Sequence, residues 1–173
     1  MIALSKSRKS LLGTLLIALP VICSAFTLVV ANADFKGEWN FNEAKSKLGE
    51  GRFRMAAQSL KVAQDASSIT IDRTSTSPQG QSFTSTDKLT FDGKEAESTA
   101  FGNSKKKATA SWSSDGSALT IHATISGERN GQAFEIKTTE VWKLADDGKT
   151  LSIDYTSESQ RGTVNQTFVY DKK

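Results

Sequence analysis

The stretch Asp34-Phe35-Lys36-Gly37-Glu38-Trp39-Asn40-Phe41-Asn42 decides how the chain reads. Gly37, Trp39 and Phe41 recur at period two, which puts one small and two aromatic positions on a single strand face. A hydrophobic leader precedes this stretch, and a succession of hairpin patterns follows it. The pattern predicts the opening strand of an antiparallel β-barrel. Gly37 and Trp39 are its closure residues, and the later strands wrap round the indole.

The leader begins with Lys6, Arg8 and Lys9, continues as an apolar run from Leu11 to Val30, and ends in Ala31-Asn32-Ala33. A basic start, an apolar middle and an A-x-A site are the three parts of a secretory signal, with cleavage expected between Ala33 and Asp34. The predicted organisation is therefore a signal peptide over 1–33 and one barrel domain over 34–173, exported to a periplasm or secreted. The apolar run is also long enough for an uncleaved membrane anchor, which is the alternative. Ile22 before Cys23 argues against a lipid anchor, where a small residue is expected. Removing the leader takes three of the 22 basic residues and none of the 19 acidic ones, leaving 19 of each. The mature chain is formally neutral, so nothing suggests nucleic acid as a partner. The lone cysteine leaves as well, and the domain must be held by its core rather than by disulfides.

Along the mature chain, Asn42-Glu43-Ala44-Lys45-Ser46-Lys47-Leu48-Gly49 predicts one or two helical turns after the first strand, capped by Asn42 and ended by Gly49. The connection continues to Met55 and is the longest outside the strands. It is a candidate lid over a barrel mouth, or a surface loop whose Phe53 and Met55 complete the core. From Gln58 onward, short alternating runs are separated by turn signals such as Ser77-Pro78-Gln79-Gly80, Asp92-Gly93, Asp115-Gly116, Asn130-Gly131 and Arg161-Gly162. Counting the opening strand gives about ten strands with hairpin-length links, an all-β up-and-down barrel of about 8–10 strands. Pairing first strand to last would remove the exposed edges of such a meander. A short repeat supports the reading: Trp112 through Asp115-Gly116 to Leu119 and Ile121 matches Trp142 through Asp147-Gly148 to Leu151 and Ile153.

The apolar phase of each strand, taken as inward, also carries Arg73, Ser85, Asp87, Thr138, Glu140, Ser157 and Gln166. Buried charges need partners, and Arg73 with Asp87 or Glu140 would supply them. An interior of this kind suits an amphipathic ligand. The candidate ligand-binding residues are Arg73, Asp87, Thr138, Glu140, Phe53, Met55 and Tyr155. The alternative is that strand ends leave the core, or that bulges reset the phase.

Catalytic chemistry finds little support. His122 is the only histidine and falls on the outward phase, no metal-ligand set is present, and no carboxylate pair has an acid/base spacing. No enzyme activity, cofactor or metal is expected. Lys105-Lys106-Lys107 reads as a solubilising strand end, with contact to anionic lipid or polysaccharide as the alternative. The glycines sit in or beside turn signals, so no phosphate loop is expected.

Gly37-Glu38-Trp39 resembles the G-x-W signature of the lipocalin and wider calycin superfamily. Its extension through Asn40, Asn42, Lys45 and Ser46 resembles the start of small secreted bacterial lipocalin-like proteins. The resemblance implies a barrel that holds small hydrophobic molecules, with Trp39 packed across its closed end. Lipocalins pair that tryptophan with an arginine on the last strand; here the last strand has none, and Arg161 lies in the turn before it. The strand count also resembles fatty-acid-binding barrels, whose Arg-x-Tyr clamp is missing from the last strand. The expected function is an exported, monomeric, non-enzymatic barrel that binds a small hydrophobic or amphipathic ligand, with no stable membrane insertion once the leader is cleaved. The alternative is a cell-envelope interaction protein or inhibitor whose barrel is filled.

Overall fold

A computed structural model describes residues 31–49, 56–76, 80–101, 104–145 and 147–173. The leader up to residue 30 and the candidate lining residues Phe53 and Met55 lie outside these. Ten strands follow one another: β1 (Gly37–Phe41), β2 (Ser59–Gln64), β3 (Ser68–Thr76), β4 (Ser82–Thr90), β5 (Ala96–Thr99), β6 (Lys105–Trp112), β7 (Ala118–Arg129), β8 (Gln132–Leu144), β9 (Thr150–Ser159) and β10 (Gly162–Lys172). They form one antiparallel sheet in the order β4-β3-β2-β1-β10-β9-β8-β7-β6-β5. First strand pairs with last, Trp39 opposite Lys172 and Phe41 opposite Tyr170. The edges left over are β4 and β5, which lie side by side without a ladder between them, so the barrel is nearly closed.

The connection after β1 holds a single 3-10 turn, Glu43–Lys45, rather than one or two helical turns. Asn42 caps it as expected, its Oδ1 accepting from Lys45 N at 3.1 Å. Ser46 ends it, and the chain then runs extended beside β10, bridged at Lys47 and Thr167. This pairing with β10 competes with further helix, and Gly49 is left as an isolated left-handed residue (φ 67°).

One end of the barrel is closed by aromatic rings. The Phe35 ring stacks on Trp112 and meets Trp142 edge-on, both at 5.7 Å between centroids. Trp39 is wholly buried and its Nε1 donates to Phe35 O at 2.9 Å, tying the entering segment across the barrel floor. Ala33 N donates to Gly116 O, and Gln64 bonds both Ala33 O and Phe35 N. Lys172 Nζ lies 5.2 Å from the centre of the Trp39 ring. The β1–β10 register sets this last-strand lysine opposite the indole. The two sequence repeats differ in register. Trp112 faces Leu119, while the longer second turn moves Trp142 opposite Ile153 and leaves Leu144 facing Leu151.

Trp39→Ala is expected to cost about 3–5 kcal/mol in urea unfolding, since it opens a cavity in the floor. Lys172→Ala should cost no more than about 1 kcal/mol, the value of one cation–π contact. Equal losses for the two would contradict the floor as drawn.

Candidate functional site

Strand alternation places Arg73 of β3, Asp87 of β4, Lys106 of β6 and Glu140 of β8 on the inner face, where they meet. Arg73 Nη2 donates to Glu140 Oε2 at 2.9 Å, and its Nε reaches Asp87 Oδ2 at 3.4 Å. Lys106 Nζ donates to the same Asp87 oxygen at 2.6 Å, and Ser98 Oγ of β5 donates to Oδ1 at 2.9 Å. Trp142 Nε1 donates to Glu140 Oε2 at 2.8 Å, and the guanidinium carbon sits 5.6 Å from the centre of that indole. Two positive and two negative groups therefore cancel within one buried cluster.

The environment sets their ionisation. Burial alone would push the Asp87 carboxyl up, but the Arg73 and Lys106 charges and the bonds from Lys106 and Ser98 outweigh it and hold it below the usual carboxylate value. Burial works against the Arg73 charge, and Glu140 and Asp87 more than restore it, so the guanidinium is held more firmly than usual. Burial raises both Tyr155 and Tyr170, keeping these phenols neutral beside the cluster.

Of the sequence-derived candidates, Arg73, Asp87 and Glu140 are brought into direct contact. Tyr155 faces Glu140 across β8–β9, and Thr138 lies two residues along β8, one row nearer the turns. His122 is exposed on the outer face, as its phase predicts, with Nδ1 3.0 Å from Thr139 Oγ1. Lys106 is the residue sequence reasoning missed. As the middle of a lysine run it reads as solvent-facing, yet the structure turns it inward onto Asp87. Its alternation with Ala108 and Ala110, both buried, is the signal that finds it.

One row toward the mouth from Glu140 runs a line of small side chains in cross-strand register, Ala96, Ala108, Ala123, Thr138 and Ser157, which ends on Val164. Lys106 and Ser98 stand one row further toward the mouth and reach back to Asp87. Toward the mouth the inner face opens. Phe83 and Val164 share the inward phase of Leu89 and Phe168, which are buried, yet are themselves 49% and 50% exposed. Gln166 lies opposite Tyr155 and is only 6% exposed. Its Nε2 donates to Leu48 O at 2.5 Å, while its Oε1 is buried and has no hydrogen-bond partner among the described residues. Gly127, inside β7 rather than at a turn, faces Phe134 across β7–β8. A Cβ there would meet the Phe134 ring at 3.1 Å, so its absence lets that ring lie flat and stack on Phe101 at 6.1 Å. The aromatic mouth is thereby held in place. Two concavities, of about 290 and 340 Å³, lie elsewhere: one over the outward-facing residues of β6 to β9 round His122, the other beside Asp34 and Gln64.

The site is thus the mouth half of a nearly closed ten-stranded barrel, above a neutralised ionic layer. No family model matches the chain, and no curated protein does. Among solved structures, the zebrafish ileal bile acid-binding protein complexed with cholic acid has a similar chain course, at 16% identity and a TM-score of 0.49, over 80% of this chain and 98% of that one. A likeness at this level says nothing of ligand or activity, and the architecture stands on the strand registers above. Among the described residues no helix is long and apolar enough to cross a membrane, and no group of three metal-ligating side chains converges.

Asp87→Asn leaves Arg73 and Lys106 with one carboxylate between them and is expected to cost about 3–5 kcal/mol at neutral pH. Because the folded-state pKa of Asp87 is depressed, its stabilisation is complete above the unfolded value of about 4 and is lost as pH falls through the lower folded value. The wild type should therefore lose more stability than Asp87→Asn between neutral pH and the range below about pH 4, measured by urea midpoints across pH. Parallel pH profiles would show that the cluster does not hold the charge.

Proposed function

We propose that this is an exported, non-enzymatic barrel that takes a small amphipathic molecule into its mouth half. The observation that carries the reading is the change along one inner phase, from buried Leu89 and Phe168 to half-exposed Phe83 and Val164. Apolar side chains left open on the inside of a barrel suit an apolar ligand body. The polar end of the ligand is specified by what the interior lacks. The ionic cluster is already balanced, so among the described residues an added carboxylate would lie buried without a cation of its own. The unpartnered Gln166 Oε1 wants a donor, because a buried acceptor without one costs about 1–3 kcal/mol. A neutral amphiphile carrying a hydroxyl at its inner end meets both conditions.

Export rests on the basic, apolar and A-x-A parts of the leader. Cleavage after Ala33 gives up that residue's two hydrogen bonds and keeps Phe35 in the floor one residue from the new terminus. A second reading, a filled barrel that acts through its outer surface, is favoured by the self-neutralised cluster. It leaves the open mouth and the Gln166 acceptor without a role.

Titration with decanol and with decanoate, followed by calorimetry, separates these readings. Decanol should bind and decanoate should bind at least about tenfold more weakly, one unsatisfied buried group being worth 1–3 kcal/mol. Val164→Arg, which puts a charge at the mouth without touching the floor, should abolish binding while leaving the unfolding midpoint near the wild type. Silence with both amphiphiles would favour the filled barrel.

A further inference from the structure

All five connections at the mouth, those after β1, β3, β5, β7 and β9, lie at one end of the meander, and the other four lie at the floor. The two sets differ in charge. Each floor turn carries an exposed aspartate, Asp65, Asp92, Asp115 and Asp147, held in its turn by local donors. The turn donors, chiefly the Ser67 amide for Asp65 and the Ser113 hydroxyl for Asp115, hold both carboxyls down at about 2, so these two stay ionised. Lys94 on Asp92 and Lys149 beside Asp147 offset part of the charge at this end. At the mouth stand Lys105, Arg129 and Arg161, each exposed and none in an ion pair among the described residues. Glu128 and Glu158, near the two arginines, offset part of that charge.

The apolar surface follows the same division. Phe83, Phe101 and Val164 are the large hydrophobic side chains the described residues leave exposed, and all three lie at the mouth. Phe83 lies near the start of β4, Phe101 in the β5–β6 turn and Val164 near the start of β10. Lys105, Arg129 and Arg161 therefore stand together on the rim, with Phe83 and Phe101 on one side of them and Val164 on the other. Phe101 is fixed by its stack on Phe134, so its contact area is available with little ordering cost.

We propose that the mouth of this barrel docks on an anionic lipid surface. The segregated charge orients the molecule, drawing the cationic mouth toward the surface and turning the aspartate end away. The rim phenylalanines then enter the headgroup layer, while the barrel itself remains outside the hydrocarbon. The docking rests on the rim and the turn charges, and stands whether or not the interior takes decanol.

Co-flotation with vesicles of phosphatidylcholine, with and without phosphatidylglycerol, tests it using the leaderless chain. Binding should require phosphatidylglycerol and fall as salt rises. It should weaken about fivefold for each of Arg129→Gln and Arg161→Gln, and stay unchanged for Lys149→Gln at the floor. Phe83→Ser and Phe101→Ser should also weaken it, with unfolding midpoints near the wild type, since both side chains are half exposed. Equal binding to both vesicle types, or a Lys149→Gln effect as large as that of the arginines, would overturn the proposal. So would a dimer in light scattering that Phe101→Ser dissociates, which would assign the rim to a second copy. Decanol titration of Arg129→Gln keeps the two readings apart, because it should bind decanol normally while losing vesicles.

Discussion

Everything in this barrel turns on Asp87, a carboxylate buried where the sheet has no hydrogen-bond ladder. β4 and β5 are neighbours without backbone pairing, and β5 spans only Ala96–Thr99. Asp87 crosses that junction with side-chain bonds to Ser98 of β5 and Lys106 of β6, and reaches back to Arg73 on β3. Arg73 in turn crosses the interior to Glu140 on β8. Five strands from opposite walls are thereby tied together. A buried ionic group of this sort adds little net stability over an apolar core, but it is costly to break and admits few alternative packings.

The layer also divides the barrel by function. Below it, Phe35, Trp39, Trp112 and Trp142 pack a floor with no need of a ligand. Toward the mouth, small side chains and half-exposed apolar ones leave the inner face unfinished. Balanced charge at the level of Asp87 means that polar recognition falls to uncharged groups, Gln166 first among them. Charge reappears outside, where aspartates mark the floor turns and Lys105, Arg129 and Arg161 mark the mouth. Interior and exterior therefore point the same way along the barrel axis.

The fold was largely legible because hairpin links and period-two alternation are local signals, and the registers run without a bulge through the long β7–β8 pair. That continuity, and the equally unbroken β3–β4 register, is why Arg73, Asp87 and Glu140 could be placed on one inner face. Lys106 was hidden because a run of three lysines masks its own alternation, although Ala108 and Ala110 carry the same phase. The Lys172–Trp39 contact depends on a pairing between residues far apart in the chain, which no local pattern specifies. The open junction was equally invisible. First-to-last pairing was expected to remove both edges, whereas it moved them to β4 and β5. The part of the candidate site formed by Phe53 and Met55 lies outside the described residues.

The central claim is that the inner face above the Asp87 layer receives a ligand. Amide shift mapping by NMR of the leaderless chain with decanol tests it most directly. The expected result is a set of shifts confined to the mouth half, at Phe83, Ile136, Ser157, Val164 and Gln166, with the floor round Trp39 and Leu119 unmoved. Shifts confined to the outer groove round His122 and Thr139, or spread evenly over the barrel, would contradict it.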